Sequence, residues 1–299
     1  MKIGFTLPQW GGQAHQASLI PRFAHELEEA GAHSLWVGDR LIAAVNPTVG
    51  YGGGDTIPEL FDSVLDPFVA LALAAAATGR VRLGSNVINA PWYQPAVLAR
   101  SLTTIDVASN GRLVAGFGIG WSPEEYRAAA VPFDHRGARL DETLDGLEAI
   151  WTSDRPAYEG RYVTVPEFRN SLHPAQQDPH PPIYLAGFAE PALRRIVRRG
   201  AGWLPVLGVG QFGPEFILTT REALFRAAEA ADRDPATIGV ILRVNVTAGT
   251  PLPDIAAAVL DAAGKTGIEE LFIDLAYLND TVEGALDSAH ELIGLVNAG

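Results

Sequence analysis

Along the chain, short unbroken apolar runs alternate with stripes of period 3.6, the patterns of buried strands and of the helices that cover them. Lys2 to Leu7 is the first run, and Leu19, Ile20, Phe23, Leu27 and Ala30 form the first stripe, spanning Ser18 to Gly31 with the glycine as C-cap. Ser34 to Gly38 is the second strand. An Ala-rich helix from Asp66-Pro67 to Gly79 follows, then a β-branched run from Val81 to Ile88, a helix from Pro95 to Ala108 and a strand from Leu113 to Phe117. A short helix over Pro123 to Ala130 and a long one from Gly137 to Trp151 come next. Tyr158 to Val165 is a weakly alternating excursion. Strands at Ile183 to Ala186, Trp203 to Leu207, Ile238 to Val246 and Glu270 to Leu275 are each followed by a helix. Eight continuous β–α units without a linker predict an α/β fold, a single (β/α)8 TIM barrel over residues 1–299, with insertions after strands two and four.

The stretch from Asp39 to Leu65 has no period and carries Pro47, Pro58, Gly50, Gly52, Gly53 and Gly54. A loop of that length predicts a lid or a substrate loop. In such a barrel, chemistry gathers at the C-terminal ends of the strands. These are Pro8-Gln9-Trp10, Gly38-Asp39-Arg40, Asn86 to Asn89, Gly116 to Trp121, Gly187-Phe188-Ala189, Pro205 onward, and Ala276-Tyr277. The set is rich in aromatics and amides, so a ligand pocket walled by Trp10, Trp92, Tyr93 and Trp121 is expected. It is poor in clustered acids, and the histidines are scattered through helices and loops, so no metal site is expected.

Charge and composition remove further classes. A net charge of −13 argues against a nucleic-acid or anionic-membrane partner, since either needs basic surface. The absence of cysteine excludes disulfides, thiolate metal sites and a cysteine nucleophile. No G-x-S-x-G elbow occurs. The opening MKIGFTLPQWG lacks a long apolar segment and no apolar run approaches a membrane span, so a cytoplasmic location is expected.

Two glycine motifs remain. Gly116-x-Gly118-x-Gly120 imitates half of a dinucleotide fingerprint but lacks its βαβ setting and downstream acid. Gly187-Phe188-Ala189, between a strand and a helix, is the stronger anion signal, because such a turn aims free N–H groups and the positive helix end at a phosphate. Arg194, Arg195, Arg198 and Arg199 on that helix either extend the field or form a solvated face.

The strings WVGDRL, RVRLGSNVINAPWYQPAVLARSLTTIDVASNGRLVAGFGIGWSPEEY, VPFDHRGARLDETLDGLEAIWTSDRPAYEGRYV and PHPPIYLAGFAEPALRRIVRRGAGWLP, in that order, cover nearly the whole chain. They resemble the bacterial luciferase-like flavin and deazaflavin oxidoreductases, and within them the branch using coenzyme F420. The resemblance implies hydride transfer between F420 and a small-molecule organic substrate. The alternatives are an FMN-dependent monooxygenase, fed reduced flavin by a partner reductase, and a non-catalytic cofactor-binding protein.

The resemblance also implies roles for residues. It places Asn86-Val87 at a strand-three bulge with a non-proline cis peptide behind the ring, with Asn89 closing the same strand end. Gly116, Gly118, Gly120, Trp121 and Glu125 would lie along the ring and its side chain, Arg136 would follow on the next helix, and Gly187, Phe188 and Ala189 would hold the phosphate. Ala189 stands where relatives usually carry a hydroxyl residue, so backbone N–H groups would act alone. Arg40 stands where many deazaflavin enzymes carry histidine. Arginine stays protonated, so Arg40 would be a fixed cation, clamping an anionic substrate or steadying hydride-derived charge, and Asp39 would be the proton carrier. A homodimer through the side carrying the Ala-rich helix is implied as well.

Overall fold

The apolar runs become strands because they are covered on both faces, by helices outside and by the barrel's own filling inside. The computed structural model describes residues 1–173, 177–208 and 213–298. Its barrel strands, all parallel, are Lys2–Thr6, Ser34–Val37, Arg82–Ser85, Leu113–Gly118, Ile183–Leu185, Gly202–Trp203 continued by Val206–Gly208, Gly239–Asn245 and Glu270–Ile273. The barrel closes where Lys2 pairs with Glu270, and Gly4 on the other edge of the same strand pairs with Ser34. The covering helices are Ile20–Glu29, Pro67–Ala77, Pro95–Ala108, Arg136–Thr152, Glu190–Arg199, Pro214–Glu229, Leu252–Thr266 and Val282–Ala298.

Side chains alternate along each strand, so every second residue points into the barrel. On the seventh strand Leu242 and Val244 join the outer helix-facing core, while Ile241 joins an inner layer with Trp36, Val114, Tyr184, Leu204 and Phe272. Trp36 stacks on Phe272 with ring centroids 4.6 Å apart. Gly84 makes room for that indole, since a Cβ there would lie 2.4 Å from the ring. Toward the C-terminal ends the inner filling turns polar, with Thr6, Arg243 and Asp274. That polar layer is the floor of the barrel mouth.

Several elements differ from the sequence pattern. The run from Val81 to Ile88 forms Arg82–Ser85 and a separate pair, Ile88–Asn89, with a cis peptide bond between Asn86 and Val87. The sixth strand breaks at Leu204-Pro205, where proline has no N–H for a ladder and its carbonyl accepts from Arg243. Of the stretch after Pro205, residues 209–212 lie outside the described residues. The long loop contains two 3-10 turns, Tyr51–Gly53 and Glu59–Asp62. The excursion is an antiparallel pair, Tyr158–Glu159 with Thr164–Val165. Asp66 caps the Ala-rich helix through Val69 N–H at 2.9 Å. Val69 on that helix and Val97 and Val107 on the next are exposed. Among the described residues no helix is long and apolar enough to cross a membrane.

Candidate active site

Asp39 ends the second strand's path and is buried. Its Oδ2 accepts from Asn89 N–H at 2.9 Å, its Oδ1 accepts from the Tyr93 hydroxyl at 3.1 Å, and its backbone carbonyl accepts from Asn89 Nδ2 at 3.0 Å. Burial pushes this carboxyl up from 3.8 to about 7, against the two donors and with help from the charges of Glu125 and Asp66. The side chain therefore exchanges a proton near neutrality. Burial likewise raises the Tyr93 hydroxyl, so the phenol is neutral and donates.

A raised carboxyl binds more protons in the folded chain than in the unfolded one. Its stabilising contribution is full below pH 3.8 and is lost as pH rises to about 7. Measured against Asp39→Asn, which does not titrate, wild-type stability should fall by on the order of 4 kcal/mol across that window. Urea unfolding of both proteins at several pH values checks this, and a difference independent of pH would contradict it.

Arg40 is held by Glu125, Nε to Oε1 at 3.0 Å, with both side chains almost wholly buried. Its guanidinium lies over Trp121 at 4.4 Å and beside Phe61 at 5.1 Å. Glu125 also accepts from Leu41 N–H at 2.8 Å, which ties the start of the long loop to the helix Pro123–Ala128. Burial pushes Glu125 up and Arg40 down, and each partner's charge opposes this. Arginine's ordinary value is so high that Arg40 keeps its proton beside Glu125.

The floor of the mouth is a second pair. Arg243 Nη2 meets Asp274 Oδ2 at 2.5 Å and Nη1 donates to Asn86 O at 3.1 Å, while Thr6 Oγ1 donates to Asp274 Oδ1 at 3.2 Å. Burial alone lowers the Arg243 guanidinium, and the facing carboxylate more than reverses that. Gly118 lies so close to Val87 that a Cβ would approach Cγ2 to 2.5 Å, and Gly116 abuts Ser85 O in the same way. The strand-four glycines and the strand-three bulge thus form one close wall. Asn86 Nδ2, Trp92 Nε1 and Arg243 Nε are buried near it without a partner among the described residues. Such orphaned groups, beside a glycine-smoothed wall, suit a flat heterocycle with polar edges.

At the turn between the fifth strand and the helix Glu190–Arg199, no carbonyl among the described residues takes the N–H groups of Gly187, Phe188 or Ala189. Gly187 has φ +134 and its carbonyl accepts from Trp203 Nε1 at 3.0 Å, which fixes the turn. The Phe188 side chain, partly exposed, packs against Phe216 and edge-on to Trp203. Arg136 stacks on Phe133 at 3.9 Å, and the adjoining Gly137 carbonyl accepts from Arg195. Arg195 and Arg198 pair with Asp141, Arg199 with Asp145 and Arg194 with Glu190. That cluster is an interhelical clasp and a solvated face.

A cavity of about 380 Å³ opens between the Gly50–Gly53 stretch and the sixth and seventh strands, lined by Tyr51, Trp121, Val206 and Asn245. Trp121 reaches it. Trp10 instead packs under the long loop against Phe61, 5.3 Å away, and Gly38. Trp92 stands edge-on to Tyr126. Arg243, Asp274, Asn245 and Tyr51 are site residues the sequence pattern did not single out. The signal for two of them was there, as Arg243 and Asn245 interrupt an apolar run at inward positions two residues apart.

Comparison with known proteins follows the same lines. A family model described as luciferase-like monooxygenase matches residues 1–286. An uncharacterized protein of Mycobacterium tuberculosis (strain ATCC 25618 / H37Rv) is 34% identical over 164 residues, 54% of this chain and 56% of that protein. The phthiodiolone/phenolphthiodiolone dimycocerosates ketoreductase of Mycobacterium bovis (strain BCG / Pasteur 1173P2) is 29% identical over 237 residues, 77% of this chain and 61% of that one. The chain therefore spans little more than half the length of these first relatives. Among solved structures, monooxygenase RslO1 from Streptomyces bottropensis aligns with TM-score 0.81 at 21% identity over 100% of this chain and 99% of the other. An F420-dependent secondary alcohol dehydrogenase in complex with an F420-acetone adduct aligns with TM-score 0.76 at 16% identity over 99% and 98%. These two likenesses establish the barrel.

Proposed function

The chain belongs to the luciferase-like monooxygenase family, and we propose that it is an oxidoreductase moving hydride between coenzyme F420 and a small organic substrate. The observation that carries the reading is Asp39, a buried carboxyl raised to about 7 beside the strand-three bulge. Reduction of a carbonyl by hydride needs a proton delivered to oxygen, and an acid poised near neutrality delivers it most effectively. The deazaflavin branch rests on the resemblance carried by WVGDRL, PHPPIYLAGFAEPALRRIVRRGAGWLP and the strings between them.

When bound, the deazaflavin would supply and accept the hydride. The chain's own residues do the rest. Asp39 holds the proton, with Tyr93 and Asn89 fixing its orientation. Arg40 and Glu125 anchor the loop over the site, and Trp121 with Tyr51 screens it from water. Asn86, Val87, Asn89, Gly116, Gly118 and Gly120 would line the ring, and the N–H groups at Gly187 to Ala189 would take the phosphate. FMN is the competing cofactor, and the identity of any cofactor released on denaturation separates the two. Purified protein should release no FMN, whereas a protein releasing FMN would favour a flavin monooxygenase.

We also propose a homodimer through the face carrying exposed Val69, Val97 and Val107. Sedimentation at micromolar protein should give a dimer, and Val69→Glu should give a monomer. A wild-type monomer would remove the idea.

A further inference from the structure

Building on the reaction class proposed above, we infer that the substrate taken at the barrel mouth is an uncharged carbonyl compound or its alcohol, read by Asn245, and that anions are refused. Arg40 and Arg243, which approach the mouth, are already matched with carboxylates. Arg40 faces Glu125 at 3.0 Å and Arg243 faces Asp274 at 2.5 Å, each acid side chain only 1% exposed. Among the described residues, none lining the 380 Å³ cavity carries a charge. An anion entering here would shed its hydration and meet, among the described residues, two guanidinium groups whose charge a buried carboxylate already balances, with only single N–H groups such as Arg40 Nη1 and Arg243 Nε left without a partner.

Asn245 offers what a neutral oxygen needs. Its Nδ2 lies 3.4 Å from the Tyr51 hydroxyl, and its Oδ1 is buried without a partner among the described residues. An amide presents an acceptor to an alcohol O–H or, turned about its bond, a donor to a carbonyl. One side chain therefore serves both members of an alcohol and ketone couple. Val206 and Trp121 supply apolar walls for the rest of the molecule.

The test is a ligand-observed NMR titration of the whole chain near neutral pH with cyclohexanone, cyclohexanol and cyclohexanecarboxylate, with and without the deazaflavin. The ketone and the alcohol should bind at least about tenfold more tightly than the carboxylate. Asn245→Ala should weaken the two neutral ligands severalfold and leave the carboxylate unchanged. Glu125→Gln, which uncovers the Arg40 charge, should narrow the ratio about tenfold. If that variant does not fold, the wild-type ratio and Asn245→Ala decide the matter. Equal or tighter binding of the carboxylate, a ratio unmoved by Asn245→Ala, or no saturable binding of any of the three overturns the inference. Neutral-ligand binding by a chain that ignores the deazaflavin keeps this inference and removes the cofactor assignment, and deazaflavin binding with carboxylate preference does the reverse.

Discussion

Asp39→Asn should lose roughly 10²- to 10⁴-fold in kcat for carbonyl reduction, the usual share of a positioned general acid, while cofactor affinity stays within a few-fold. Asparagine has the same shape, and the local bonds can be kept. Its Oδ1 can accept from Asn89 N–H, and its Nδ2 can donate to Tyr93 Oη once that hydroxyl rotates. What disappears is the proton that burial retains at Asp39 near pH 7. For the wild type, reduction should therefore slow as pH rises through about 7, because the carboxyl empties. The variant should lose that slope. Steady-state rates across pH, with protein folding checked by circular dichroism, measure both effects. A variant with wild-type turnover would place the proton source elsewhere.

Asp274→Ala should cost about 3–5 kcal/mol of stability, the range seen when one partner of a buried ion pair is removed. The reason is Arg243. Its Nη2 faces the carboxylate and its Nη1 is committed to Asn86 O, so deletion of Asp274 leaves a buried cation with half its bonds. Thr6 Oγ1 would lose its acceptor as well, although it still takes Leu275 N–H at 3.1 Å. Replacing both partners, Arg243→Met with Asp274→Leu, should be much less damaging, since the desolvation cost of two charges disappears along with their attraction. Urea unfolding of the three variants distinguishes the cases. A loss under about 1 kcal/mol for Asp274→Ala would mean that water reaches the floor of the mouth.

Much of this architecture is legible in the chain itself. Strand and helix order follow from apolar periodicity, and the ends of the strands name Asp39, Asn86, Gly116 and Gly187 as residues at one rim. The bulge at Asn86-Val87 and the turn at Gly187 agree with what the sequence strings imply. The partners of those residues are not legible, because they come from distant parts of the chain. Glu125 meets Arg40 across the gap between a loop and a helix, and no local pattern encodes that meeting. Its consequence is large, since an arginine with a buried carboxylate partner anchors a loop rather than presenting a free charge. Trp10 is similar. Its place at a strand end suggests a pocket wall, but Phe61 and Gly38 draw it beneath the loop. The floor pair was hidden for another reason. In a run such as Ile241 to Val246 the outward Leu and Val dominate the pattern, and inward Arg243 and Asn245 show only when the strand is read two residues at a time.

We propose that the barrel mouth is built around a deazaflavin. Fluorescence titration of the purified chain with oxidised F420, and then with the reduced form and with FMN, tests it most directly. Saturable binding of F420 at micromolar concentration, about −8 kcal/mol, is expected, with FMN binding much more weakly. Saturable binding of FMN with none of F420 would contradict it.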